Sequence, residues 1–257
     1  MTKIPRRVVL TGLAAVPFIS QLTTTDRPAS AQTGLETVSV KTPSGRTVSG
    51  LLAVPTKVPA AAVLLIHGGN GVTESFKGFT SDFAREGFFA LALDLYDGRI
   101  AKDDAMNFAL RNEVMSNPAK AVETITTWIE WLKAERRTNG NVGVVGWSFG
   151  AGWALEASIN TPVEATVIYV GLIYPEPTRL ALMKGPVMVH LAERDYDVSK
   201  NDLKLFENKM TEAGKSVEVY WYPGDHYFPF PTRPSYDKAQ ADAAWTRTTQ
   251  FFRANLQ

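Results

Sequence analysis

Apolar positions along the chain fall into two rhythms. Unbroken aliphatic and β-branched runs occur in "AAAVLLI" from Ala60, "FFALAL" from Phe88, "NVGVVGW" from Asn141, "EATVIYV" from Glu164, "GPVMVHLA" from Gly185 and "SVEVYWY" from Ser216. Between the runs, apolar residues recur three and four positions apart, as in Phe76, Phe79, Phe83 and Ala84, or Ile125, Trp128, Ile129 and Leu132. The first rhythm predicts strands buried on both faces, and the second predicts helices with one apolar stripe. Ahead of them, "LETVSVKT" and "RTVSGLLAVP" predict two strands joined around Pro43-Ser44-Gly45. Helical material from Ala101 to Arg137 breaks near Asn117-Pro118, and further helices are predicted in "GAGWALEASI", "KNDLKLFENKMTEAG" and "SYDKAQADAAWTRTTQFFRANL". This alternation predicts an α/β domain with a mainly parallel central sheet of about eight strands and helices on both faces.

The first residues break the pattern. Lys3, Arg6 and Arg7 precede a short apolar run, and Ala29-Ser30-Ala31 supplies small residues for a peptidase. Residues 1–31 are therefore expected to be an export signal cleaved after Ala31, with residues 32–257 as the mature domain in the periplasm or outside the cell. The run from Val8 to Ser20 is short for a membrane span, so no stable membrane insertion is expected after cleavage. Arg6-Arg7 followed by Val9 and Leu10 is similar to a twin-arginine signal, although Pro5 and Val9 depart from it.

Composition narrows the chemistry. The 257 residues carry a net charge of +1, which gives no reason to expect a nucleic-acid partner. The absence of cysteine excludes disulfides, thiol catalysis and thiolate metal sites. Neither a Gly-x-Gly-x-x-Gly helix opening nor a Gly-Lys-Ser/Thr loop occurs. No cofactor or metal is expected.

In sheets of this kind ligands bind beyond the carboxyl ends of the strands. One such end reads Gly146-Trp147-Ser148-Phe149-Gly150 between a predicted strand and a predicted helix. A strand-to-helix turn this sharp crowds neighbouring backbone, and glycines on both sides supply the missing volume. It presents the Ser148 hydroxyl as a nucleophile beside a helix N-terminus, whose N–H groups can receive an oxyanion. The hydroxyl needs a base. His67, His190 and His226 are present, and only His226 lies on a loop after the last strand. His190 sits inside an apolar run and is expected to be a core histidine, while His67 is expected to shape the glycine loop "HGGNG". Asp195 and Asp197, with Glu193 as a weaker third, are the candidates to orient the imidazole. The backbone N–H of Phe149, with that of Gly69 or Asn70, is expected to form the oxyanion hole.

The stretches "AVLLIHGGNGV", "FFALALDLYDGR", "VGVVGWSFGAGWAL", "HLAERDYDVS" and "YPGDHYF" together resemble the dienelactone hydrolase family of α/β-hydrolases, from Glu36 to Leu256. The resemblance implies the α/β-hydrolase fold and a nucleophile at Ser148. It implies Asp195 as the acid, in D-x-x-V with Val198, and His226 as the base, in H-x-F with Phe228. Gly69 and Phe149 become the oxyanion donors. Two departures stand out. The founding enzymes use cysteine with a nearby glutamate, where this chain has Ser148 and Gly68. They also hold an anionic lactone with arginines, where this chain has Gly98 and Phe230, with Arg99 and Arg233 nearby.

The expectation is thus an exported serine hydrolase acting on small carboxylic esters or lactones, neutral ones before an anionic dienelactone. The alternatives are a carboxymethylenebutenolidase-type enzyme, a serine peptidase, or a catalytically silent binding module on the same fold. Only Gly171–Gly185 separates two strands where a large lid would insert, so an open or shallow site without such a lid is expected. Trp147, Tyr96 and Phe230 are the expected substrate-binding residues, with Tyr174, Tyr227 and Phe228 as further candidates for the wall. The sequence leaves the oligomeric state open.

Overall fold

The structure is a computed structural model that describes residues 34–171 and 175–257. The expected signal at residues 1–31 and the candidate Tyr174 lie outside the described residues.

The chain opens with a hairpin, β1 (Glu36–Lys41) antiparallel to β2 (Thr47–Ala53), turning through Pro43-Ser44-Gly45. It continues through β3 (Ala60–Ile66), α1 (Glu74–Arg85), β4 (Phe89–Leu93), α2 (Asp104–Met115), α3 (Pro118–Ala134), β5 (Thr138–Trp147) and α4 (Phe149–Asn160). It ends with β6 (Ala165–Tyr169), α5 (Pro177–Leu180), β7 (Val187–Arg194), α6 (Lys200–Glu212), β8 (Val217–Asp225) and α7 (Lys238–Asn255). The eight strands form one sheet in the order β1-β2-β4-β3-β5-β6-β7-β8. Only the pairings of β2 are antiparallel; from β4 onward all neighbours run parallel. This is the α/β-hydrolase fold.

Side-chain alternation divides the core into two layers. Val63, Leu65, Val145, Trp147 and Tyr169 face α1 and α7 through Phe76, Phe79, Phe83 and Phe252. Ala62, Leu64, Ile66 and Val144 face α3 and α4 through Ile125, Trp128, Ile129 and Ala154, and α6 closes the far end of that side through Phe206 and Met210. Because strands buried on both faces need apolar residues at every position, the runs in the sequence are unbroken.

Local chemistry sets the helix boundaries. Asn117 caps α3 through Lys120 N–H with Pro118 in the first turn, which is why the helical material breaks there. Ser199 and Asp202 form a reciprocal box at the start of α6. The last helix starts three residues later than its polar run suggests, because Asp237 caps it through Gln240 N–H. Between β6 and β7 the described residues carry only the four-residue α5, so no large lid is built there. Likewise, no helix among the described residues is long and apolar enough to cross a membrane.

Candidate active site

Ser148 is the turn between β5 and α4, with φ +52° and ψ −116°. A non-glycine residue held there stores on the order of 1–3 kcal/mol of strain and persists only where its surroundings over-determine it. Here they do. Ser148 N–H donates to Tyr169 O at 2.8 Å, and Ala151 N–H to Ser148 O at 2.9 Å. A Cβ on Gly146 would overlap the Gly150 carbonyl, and one on Gly150 would overlap the backbone of Ile66 and His67. One on Gly171 would press on Ser148 O at 2.7 Å. The glycines let three strand ends close around one raised hydroxyl.

That hydroxyl lies 2.9 Å from His226 Nε2, and His226 Nδ1 lies 3.0 and 3.1 Å from the two Asp195 carboxylate oxygens. The arrangement fixes proton positions: Nδ1–H donates to Asp195, leaving Nε2 to accept the Ser148 proton. Asp195 follows β7, and its side chain is fully buried. Asp197 is its sequence rival. Its nearer oxygen is 4.0 Å from Nδ1, and its side chain is half exposed, so it borders the site without holding the ring. Its own N–H donates to Asp195 Oδ1 at 2.8 Å, which fixes that carboxylate. Glu193 lies within β7, two residues before the turn that carries Asp195. The Tyr196 ring covers the imidazole at 4.7 Å.

The loop after β3 forms the opposite wall. The Gly68 backbone lies against Ser148, so that a Cβ there would come 3.8 Å from the serine Cβ. The Gly68 carbonyl accepts from His67 Nδ1–H at 2.8 Å and from Gly71 N–H at 3.1 Å. In a trans peptide the carbonyl and the following N–H point oppositely, so Gly69 N–H faces away from the His67 ring. His67 Nε2 accepts Leu95 N–H at 3.1 Å, which fixes its tautomer. Burial holds its pKa below the ordinary imidazole value, and it stays neutral. Phe149 opens α4, so its N–H is among the first-turn donors without a helical acceptor. Gly69 in this loop and Phe149 at the start of α4 thus border Ser148 from two sides. Side chains of α2 crowd this loop: a Cβ on Gly69 would meet Asn107 Nδ2 at 2.7 Å and Arg111 Cδ at 3.1 Å.

Two of the expected substrate-binding aromatics lie elsewhere. Trp147 is buried between Phe79 (5.1 Å) and Tyr169 (5.2 Å), because strand alternation turns it toward α1 while Ser148 turns to the mouth. Tyr96 is buried behind the oxyanion loop and donates to Gly69 O at 3.2 Å; burial raises its phenol pKa and keeps the donor protonated. Phe228 is also core, stacked on Tyr222 at 5.0 Å. Phe230 and Tyr227 do line the mouth.

Ser148 opens onto two clefts, both open to solvent. The first, of about 810 Å³, is walled by Asn70, Thr73, Lys102, Asn107, Thr232 and Arg233. The second, of about 790 Å³, runs along α4 and is walled by Met115, Pro118, Val122, Phe149, Trp153 and Val198. Of the two arginines near the expected anion positions, Arg99 is taken up by Glu113 at 2.8 and 2.9 Å, whereas Arg233 bonds Asn70 Oδ1 at 2.9 Å inside the first cleft. The sequence reading placed a helix here but gave it no part in the site; α2 brings Asn107 and Arg111 beside Gly69. Its exposed apolar residues, Phe108 and Met115, were the available signal.

His190 is separate from all this. It is buried within the sheet, with Nδ1 2.9 Å from Tyr222 OH and Nε2 2.9 Å from Thr248 Oγ1. Arg247 donates to Tyr222 OH at 2.9 Å, and burial drives the His190 pKa down to about 3. Among the described residues no cluster of three or more histidine and acidic side chains is placed to hold a metal ion.

Comparison with known proteins gives the family and the fold. A family model described as "Dienelactone hydrolase family" matches residues 48–256. The chain is 30% identical over 224 residues to Protein usf of Aquifex pyrophilus, covering 83% of this chain and 96% of the other. It is 23% identical to carboxymethylenebutenolidase 1 of Cupriavidus pinatubonensis, covering 83% and 94%. In fold it is similar to a dienelactone hydrolase-like promiscuous phosphotriesterase from metagenomic libraries, with a TM-score of 0.77 at 19% identity over 87% of this chain and 99% of that one.

Proposed function

The chain belongs to the dienelactone hydrolase family and is a hydrolase, and from that premise we propose that it cleaves small carboxylic esters or lactones as a serine hydrolase. The observation that carries the reading is the hydrogen-bond relay from Ser148 Oγ through His226 to Asp195, set on a strained turn.

In this mechanism Ser148 Oγ attacks the substrate carbonyl while its proton passes to His226 Nε2. Asp195 stabilises the imidazolium through Nδ1–H. The carbonyl oxygen takes the negative charge and is received by the N–H groups of Gly69 and Phe149, whose directions are set before substrate arrives. Collapse expels the alkoxide, which takes the proton from Nε2 and leaves an acyl-Ser148 ester. A water, deprotonated by the same nitrogen, then releases the acid. The serine at this position needs no partner carboxylate to ionise it, which accords with Gly68 standing where the founding enzymes have glutamate.

The test is labelling with a fluorophosphonate together with an ester and lactone panel. Wild type is expected to label at Ser148 and to turn over esters. Ser148→Ala should lose labelling and about 10⁴- to 10⁶-fold in kcat while keeping its fold. An unlabelled wild type without ester or lactone turnover would refute the reading. Export is also proposed, supported by Arg6-Arg7, the apolar run and Ala29-Ser30-Ala31. A mature N-terminus at Gln32 is expected in exported protein, and Arg6→Lys with Arg7→Lys should block the twin-arginine route.

A further inference from the structure

The two clefts that meet at Ser148 differ in chemistry. The first is richer in amide, hydroxyl and charged side chains, Asp104 and Asp197 as well as Lys102 and Arg233, with Phe76, Phe108 and Phe230 among them. The second is walled more by hydrocarbon between its ends, with Ser148, Asp197 and Arg111 also bordering it and the charged pair Glu156 and Arg179 at its far end. On its α4 side the second cleft runs past Ser148, Phe149, Gly152, Trp153 and Glu156, the positions of a single helix face. Eight residues of helix rise about 12 Å, so the groove is that long. Its far end is closed by an ion pair in which Arg179 grips both Glu156 oxygens at 3.0 and 2.6 Å. The opposite wall comes from the junction of α2 and α3. There Met115 is 57% exposed, and Val122 is only partly covered by the core. A groove of this volume that begins at a reactive hydroxyl matches the ordinary size and lining of a small-molecule site.

We propose that this second cleft binds the apolar arm of an amphiphilic ester, a hydrocarbon chain or ring on one side of the scissile bond, while the polar arm lies in the first cleft. The proposal rests on the serine-hydrolase reading and adds the substrate's shape. α2 divides the two arms. Phe108 and Asn107 face the polar cleft, Met115 faces the groove, and Arg111 borders both, with its guanidinium 5.7 Å above the Phe149 ring. Among the described residues Arg111 has no carboxylate partner.

The experiment varies one arm at a time. p-Nitrophenyl acetate, butyrate and octanoate lengthen the acyl arm; ethyl, butyl and octyl acetate lengthen the alkoxy arm. Each methylene leaving water is worth about fourfold in kcat/KM, so a partly buried chain should raise kcat/KM by roughly tenfold or more along one of the two series. Met115→Glu and Val122→Glu should each lower the octyl-to-short ratio of that series by roughly tenfold. Lys102→Ala, in the other cleft, should leave that ratio at its wild-type value. Circular dichroism and the rate of fluorophosphonate labelling establish that each variant is folded. If Val122→Glu does not fold, Val122→Thr should lower the ratio in the same direction by a smaller factor. Flat profiles in both series, or a rise that survives both glutamates, would overturn the proposal while leaving the serine reading intact. Failure of labelling and of all ester turnover would instead remove the reading beneath it.

Discussion

His226 and His190 are both buried imidazoles with both ring nitrogens engaged, yet they lie in different chemical worlds. His226 stands on a loop beyond β8. Its partners come from two other strand ends, and one of them, the Ser148 hydroxyl, opens onto clefts. His190 stands four residues before the end of β7. Its partners come from β8 and α7, and it lines neither of the clefts that meet at Ser148. Burial and hydrogen bonding are thus common to the proposed catalytic base and a structural histidine. What separates them is whether a partner can itself reach a substrate.

The largest expected effect breaks the pair apart. His226→Ala should lower ester kcat by about 10⁴- to 10⁶-fold with little change in Tm. His190→Ala should leave a folded fraction active but lower stability by roughly 1–3 kcal/mol, because Tyr222 and Thr248 lose buried partners. Steady-state kinetics beside thermal unfolding distinguishes the two. If His190→Ala abolished turnover in fully folded protein, the contrast would be wrong.

Next in size is the acid. Asp195→Asn should cost about 10⁴-fold in kcat, through loss of the correct tautomer. Asp197→Asn should cost far less, since its oxygen is 4.0 Å away and half in water. Kinetics of the two variants side by side would reassign the acid if their order were reversed.

His67 supplies the third contrast, a histidine that touches the site through a peptide. His67→Ala releases the Gly68 carbonyl and lets Gly69 N–H turn, so kcat should fall by about 10²-fold with KM little altered. A fall confined to KM would mean that the loop holds substrate rather than the oxyanion.

The smallest effect is one of acid stability. The folded-state pKa of His190 is about 3, against about 6.5 in an unfolded chain. Between those values the unfolded state binds the additional proton, so stability falls as pH drops through the window and is unaffected above it. From pH 7 to 4.5 this amounts to about 2–3 kcal/mol. Urea unfolding of His190→Asn should show a correspondingly shallower decline. His67, whose pKa is also lowered, adds to the wild-type slope in the same direction.

Most of the sheet was legible because strands covered on both faces must be apolar at every position. The nucleophile turn was legible because its glycines are steric requirements written next to one another. Gly146 and Gly150 have no room for a Cβ, and neither does Gly171, whose crowding against Ser148 is invisible at a distance of 23 residues. Trp147 and Tyr96 were misread for different reasons: Tyr96, beyond β4, turns inward to donate to Gly69 O, and Trp147 is a matter of alternation. Nearness in sequence to a site residue says nothing of the face, and alternation sends the residue before Ser148 into the core. The division of the site into two clefts was not legible. They arise where α2, α4 and the β7 loop meet, and α2 carries one buried apolar residue, Leu110, too few to mark which face it shows.

The backbone of Ser148 has an evolutionary consequence. Its φ of +52° is one that glycine adopts freely. Ser148→Gly should therefore yield a dead enzyme that is more stable than the living one, by about 1 kcal/mol after the flexibility of glycine in the unfolded chain is deducted. Lineages selected for folding alone would drift toward that glycine. If Ser148 serves as the nucleophile, selection for turnover and thermodynamic stability pull in opposite directions at this one position.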